Sequence, residues 1–182
     1  KHLLSFGMER LEQTGKEYKV NGETIKARKK TANKWFETQD SISYWDDFSK
    51  QKIIWKIIGN QMAFSIDSNK YIVNNACYIL TGSGLEYLLS VLNSKIITWY
   101  SLTTNMNKTG VGDVQVGGQN VNLFPIPVLS KIEQKPFVEL VENILRQKEK
   151  GKETSALEVK IENLVNKLYG LTNEEAHFIQ SQ

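Results

Sequence analysis

The sequence predicts an α+β fold: a small, twisted, mainly antiparallel sheet with one helix packed on it, followed by a C-terminal helical segment. Two observations carry most of this. Short β-branched or aromatic runs, "KIIWKII", "MAFSI", "KYIV" and "ACYIL", are separated by Gly, Asn, Asp and Ser between residues 52 and 80, which is the pattern of strands and turns. Leu85, Leu88, Leu89, Leu92, Ile96 and Trp99 then recur at helical spacing, and after residue 130 helical spacing is the only period left.

In chain order, "HLLSFGMERLEQ" puts Leu4, Met8 and Leu11 on one helical face, so residues 2–13 read as the end of a helix. The chain begins with Lys1 in what reads as mid-helix, and the expectation is a fragment of something longer. "EYKVNGETIKA" gives two short runs around Asn21-Gly22, a pair suited to the positive φ values of a tight hairpin turn. The four runs of residues 52–80 form the sheet. Ser83 is placed to cap a single helix over residues 84–100, which packs on that sheet. Trp55 and Trp99 read as core. Residues 101–122 are rich in Gly, Asn, Thr and Gln and read as a long loop with a short strand at residues 114–116. Loops of that length usually carry function. "LFPIPVL" leaves as an edge strand or strap, because Pro125 and Pro127 lack an N–H. Phe137, Leu140, Val141, Ile144 and Leu145 line one amphipathic helix. Leu157, Ile161, Leu164, Val165 and Leu168 line a second, stopped by Gly170. Thr172 and Glu175 form a capping box for a short last helix.

A length of 182 residues holds one good core with a small appendage, and 40% hydrophobic with 24% charged residues is ordinary for a globular protein. A net charge of +3 excludes a polycation. The charge is uneven: from Lys16 to Lys34 seven Lys or Arg face two Glu. Such a tract is the footprint of a polyanion-binding surface or a solvated loop, and charge alone leaves both open. The single cysteine, Cys77, lies in an apolar run and reads as core in a reducing compartment. No apolar run reaches membrane-spanning length and no signal peptide is visible.

The search for catalysis finds fragments. Three Glu-x-Lys triplets, at Glu17, Glu133 and Glu158, match part of a Mg²⁺ nuclease motif. No Pro-Asp precedes them, and a Lys- and Glu-rich chain produces the triplet by chance. Gly110-x-Gly112 lacks the preceding strand and following helix of a nucleotide loop. The paired-proline signature of amino-methylating enzymes is absent, and two His and one Cys are too few for a zinc site.

Several pieces nevertheless stand in a telling order: "KWFETQD", F-x-x-x-"KIIW", "YILTG", "LLSVLNSKIITWY", a Gly-rich loop, "FPIP" and "LVNKLYGLTNEE". This order resembles the C-terminal target-recognition domain of type IIG restriction–methyltransferase enzymes and, more distantly, the specificity subunits of type I restriction systems. The resemblance runs from His2 to about residue 176. It implies that residues 1–14 end a connecting helix, that residues 15–130 form a DNA target-recognition domain, and that residues 131–182 form a helical segment. It implies a cytoplasmic bacterial protein with no membrane partner, whose nuclease and adenine methyltransferase domains lie in the same parent chain and bring Mg²⁺ and S-adenosylmethionine. No cofactor, metal or catalytic residue is then expected in this chain. Its partner is double-stranded DNA. Half of a type I specificity subunit, an autonomous nuclease and a helical protein-interaction module are the alternatives.

On that reading, the hairpin and the tract with Lys26, Arg28, Lys29 and Lys30 lie along phosphates, giving salt-dependent affinity. Trp35 and Phe36 anchor the next segment in the core, while Lys34, Glu37 and Gln39 point outward at base edges. The loop of residues 105–122 adds Asn107, Lys108, Gln115, Gln119 and Asn120, with glycines that let backbone N–H groups approach phosphates.

Overall fold

Gly7 decides how the chain begins. Its φ of +85° is a left-handed value that breaks the expected helix over residues 2–13 into a 3-10 turn at Leu3–Phe6 and a single-turn helix α1 (Met8–Leu11). Of the three apolar residues expected to share a buried face, only Leu11 is buried; Leu4 is half exposed. The computed structural model describes residues 1–40, 42–59, 61–104, 107–108 and 114–182. These divide into two units, Lys1–Trp45 and Asp46–Gln182.

In the first unit, β1 (Glu17–Val20) and β2 (Glu23–Lys26) pair antiparallel, with Val20 opposite Glu23. Asn21 and Gly22 both take positive φ, 51° and 85°, as the expected tight turn requires.

The second unit is built on β3 (Lys52–Lys56), flanked antiparallel by β5 (Phe64–Asp67) and β6 (Cys77–Thr81). The expected strand over residues 52–58 stops at Lys56. Ile57 then donates to the Ala76 carbonyl at 2.9 Å and accepts from Val116 N–H at 2.7 Å. The chain thereby passes into a second antiparallel sheet, ordered β4 (Ile58–Gly59), β8 (Val114–Gln115), β7 (Asn107–Lys108). The Trp55 indole ties the two sheets together, donating to the Val116 carbonyl at 3.0 Å. The expected strand at residues 70–73 does not form. Lys70 has a φ of +63°, and the Tyr71 N–H is taken by the Asp67 carboxylate at 3.0 Å.

The expected single helix over residues 84–100 is two, α2 (Leu85–Leu92) and α3 (Lys95–Thr104). Asn93 separates them. Its side chain accepts from Phe64 N–H and donates to the Phe64 carbonyl, both at 3.0 Å, finishing the edge of β5 as a strand would. Gly84, in the left-handed region, takes the N-cap position expected of Ser83. The long loop is also more structured than expected: β8 lies where a short strand was predicted, and α4 (Gly118–Val121) follows it. Residues 105–106 and 109–113 of that loop lie outside the described residues.

The proline strap is held by two phenols. Tyr87 donates to the Pro127 carbonyl at 2.7 Å and Tyr169 to the Pro125 carbonyl at 2.9 Å. Burial raises the pKa of both, so they remain donors through the physiological range. Three helices close the chain: α5 (Lys131–Glu149), α6 (Ser155–Leu168) and α7 (Asn173–Gln180). Ser130 with Glu133, and Thr172 with Glu175, form capping boxes. Phe137, Val141 and Ile144 of α5 and Ile161 and Val165 of α6 join the core with Ile53, Trp55 and Leu85. The apolar faces of these helices are therefore turned inward onto α2 and each other. The fold class is the expected α+β.

Candidate nucleic-acid interface

The basic tract belongs to the first unit. Ala27 is buried and donates to the Lys16 carbonyl at 2.8 Å, continuing the hairpin one residue past β2. Lys26, Lys29 and Lys30 around it are exposed. Lys29 lies 3.8 Å from the Asp40 carboxylate, but both side chains are mostly in water, where such a pair contributes little.

Arg28 is different. It is half-buried, and its guanidinium donates to the carbonyl of Glu37 at 2.9 Å and of Trp35 at 3.3 Å. Gln13, buried, reaches the same loop and shares the Glu37 carbonyl with Arg28. Its amide donates to the carbonyls of Lys34 at 2.8 Å and Glu37 at 3.0 Å, while its oxygen accepts from the Thr31 hydroxyl at 2.6 Å. Glu37 is turned back on its own loop, accepting from Lys34 N–H at 2.6 Å. Asn33 donates to the Thr38 carbonyl at 2.8 Å. Backbone carbonyls without regular secondary structure are thus satisfied by side chains of residues 13, 28 and 33, which makes residues 31–40 a braced loop.

The brace changes the expected orientation of the aromatic pair. Trp35 is half-buried, but Phe36 is 53% exposed and does not anchor in the core. The two rings meet edge to face at 5.4 Å, and the exposed Lys34 ammonium stands 5.7 Å from the Phe36 ring centre. Below them an open groove of about 390 Å³ is lined by these three residues together with Gln13, Thr31 and Asn33. Gln39 is half-buried rather than outward.

The other expected residues belong to the second unit. Gln115 is exposed on β8, opposite Ile58 of β4 and Asn107 of β7. Gln119 is exposed in the first turn of α4. Asn120 is half-buried, and its side chain accepts from Gly117 N–H at 3.1 Å, so it caps its own turn. The side chains of Asn107 and Lys108 lie outside the described residues.

The residues therefore sort by duty. Lys26, Lys29, Lys30 and Lys34 present charge to solvent, and Gln115 and Gln119 present amides. Arg28, Glu37 and Asn120 set backbone geometry. Gln13 and Asn33, not foreseen from the sequence, hold the loop; Gln13 acts on carbonyls 21 and 24 residues on, of which it carries no local sign, and Asn33 on one five residues on. Among the described residues, no group of three or more His, Cys, Asp or Glu could hold a metal ion, and no helix is long and apolar enough to cross a membrane. A family model described as the TaqI-like C-terminal specificity domain matches residues 9–126. That span takes in the hairpin, the braced loop, both three-stranded sheets and the start of the proline strap, and the chain belongs to the TaqI-like C-terminal specificity domain family.

Proposed function

We propose that this chain reads a specific double-stranded DNA sequence for a bacterial restriction–modification enzyme of the type IIG class, an adenine methyltransferase and nuclease of the cytoplasm. Family membership supports a recognition role. The observation that carries it to DNA is the braced basic loop: exposed Lys26, Lys29 and Lys30 lead into, and exposed Lys34 stands within, a loop whose conformation is set by Arg28 and Gln13. Fixed geometry is what sequence reading needs, because a side chain that must find two bonds on one base edge cannot wander. Lys26, Lys29 and Lys30 supply phosphate contacts, which carry charge but no sequence information. Lys34 and Gln39, with Gln115, Gln119, Asn107 and Lys108, supply the groups that reach base edges, while Asn120 holds the turn that carries Gln119. Arg28 and Glu37 act on the DNA through the shape of the loop. S-adenosylmethionine and Mg²⁺ are assigned in this reading to methyltransferase and nuclease domains of the parent chain; among the described residues no group of three or more His, Cys, Asp or Glu is placed to hold a metal ion.

The test uses the complete protein and a pool of randomised duplexes, with the bound fraction sequenced at two salt concentrations. Lys26→Ala, Lys29→Ala and Lys30→Ala should weaken binding to all sequences alike, each reducing the salt slope by about one unit as one phosphate loses its cation. Gln39→Ala or Gln119→Ala should relax the choice at one position, by about 1–3 kcal/mol of discrimination. Loss of selectivity in the lysine variants, with none in the amide variants, would overturn the assignment.

A further inference from the structure

The residues joining β5 to β6 do something no strand or turn requires. Both strands flank β3 and run antiparallel to it, so they are parallel to each other. β5 ends opposite Lys52 and β6 begins opposite Lys56, so residues 68–76 must travel back along the length of β3. Parallel strands of one sheet usually need a dozen or more residues, often with a helix, to make that return. Here a short extended strap makes it, with no helix.

The strap is held at both ends. At its start, Lys52 is fully buried and its ammonium bonds to the Asp67 carboxylate and to the Phe48 carbonyl, the latter at 2.9 Å. The same carboxylate accepts from Asn69 N–H at 2.8 Å and Tyr71 N–H at 3.0 Å. At its end, the Asn74 side chain accepts from Ala76 N–H at 3.1 Å and the Asn74 carbonyl from Cys77 N–H at 3.2 Å. A buried ion pair is a poor source of stability, since desolvating two charges offsets their attraction. What this pair supplies is a fixed path for the strap, including a left-handed Lys70.

That path holds two large apolar side chains out in water. Tyr71 is 64% and Ile72 65% exposed, next to each other, and Lys70 beside them is exposed. Residues 68–76 contain three Asn and one Lys and no carboxylate; at the strap's root Asp67 is paired with Lys52, and Gln51 bonds both the Ser68 hydroxyl at 3.3 Å and the Glu86 carboxylate at 3.0 Å. A surface that is cationic, amide-rich and tipped with an apolar pair fits a polyanion with a flat apolar interior. We infer that residues 68–76 form a second DNA-contacting element, in which Tyr71 and Ile72 press on base edges or steps and Lys70 meets a phosphate. This rests on the DNA-reading role proposed above. Apolar side chains on a rigid support are the usual wedges of duplex-deforming proteins.

The experiment takes the complete protein, its selected duplex, and the same duplex carrying 2-aminopurine, which fluoresces when unstacked. Tyr71→Ser with Ile72→Ser should weaken duplex binding about tenfold or more, leave the salt slope unchanged, and abolish any fluorescence rise that the parent protein produces on binding. Lys70→Gln should instead reduce the salt slope by about one unit. The substituted side chains are exposed, so the thermal midpoint of the free protein should stay constant. If the serine pair and Lys70→Gln bind as the parent does, while the Lys26, Lys29 and Lys30 variants lose salt-dependent binding, the strap proposal falls and the DNA-reading role stands. A serine pair that leaves DNA binding intact but loosens association with the parent chain's other domains also overturns it, assigning the strap to a protein interface. If no variant and no duplex shows binding, both fall together.

Discussion

Arg28→Lys separates charge from shape. Lysine keeps the positive charge but is one bond shorter, so its ammonium falls short of the Glu37 and Trp35 carbonyls, which one terminal guanidinium nitrogen bonds at 2.9 and 3.3 Å. A hydrogen bond from a charged donor contributes about 1.5–3 kcal/mol. Arg28 is half-buried and its second bond is long, so about 2 kcal/mol is a fair figure for the two together. Every 1.4 kcal/mol is about tenfold in an equilibrium, and the open form of the loop should therefore rise roughly thirtyfold. The direct reporter is hydrogen exchange at Glu37 N–H, which is bonded to the Lys34 carbonyl at 3.0 Å inside the braced loop. It should exchange roughly thirtyfold faster in the variant, with the amides of β1 and β2 unchanged. In the randomised-duplex selection the same variant should broaden site choice while keeping the parent's salt slope. Lys30→Gln is the contrast: unchanged exchange, reduced slope, unchanged choice. Identical behaviour of the two variants, or Glu37 exchange at the parent rate in Arg28→Lys, would refute the division between bracing and charge.

Lys52→Ala strands the Asp67 carboxylate in the second unit and should lower unfolding stability by about 3–5 kcal/mol in urea, whereas Lys52→Met with Asp67→Asn should unfold close to the parent. Burial pushes the Asp67 carboxyl up, but the Lys52 ammonium and the N–H groups of Asn69 and Tyr71 outweigh it and hold it below the ordinary 3.8. The native state therefore binds fewer protons in acid than the unfolded chain. This contribution is complete above about pH 5 and is lost as pH falls through 3.8 toward the folded value, a slope that urea titrations should show in the parent and not in the double variant. Tyr87→Phe removes the 2.7 Å bond to the Pro127 carbonyl and should destabilise by about 1 kcal/mol, read as a shifted urea midpoint.

What the sequence made legible was local. Asn21-Gly22, the Thr172–Glu175 capping box and Gly170 act through neighbours within a few positions, and each stands where expected. The misreadings share a different cause. "KYIV" has strand composition, but Asp67, itself fixed by Lys52 across the sheet, captures the Tyr71 N–H and turns the chain away from pairing. The α2–α3 break depends on Asn93 meeting the backbone of Phe64, 29 residues earlier. Phe36 looks like a core residue by type, yet its exposure follows from Gln13 and Arg28 bonding the carbonyls on either side of it. In the candidate site the cations were readable as a charge excess. Their sorting into surface lysines and a bracing arginine was not, because the carbonyls that Arg28 bonds, those of Trp35 and Glu37, come within its reach only in the folded loop.

The most direct test of the central claim is the binding constant of the complete protein for duplex DNA as a function of salt, measured on the sequence enriched from the randomised pool and on a scrambled duplex. The account predicts a linear fall of log K with log salt for both, with slopes set by the phosphate contacts of Lys26, Lys29 and Lys30, and a preference of at least about a thousandfold for the enriched sequence. Equal binding of the two duplexes, or binding indifferent to salt, would contradict it.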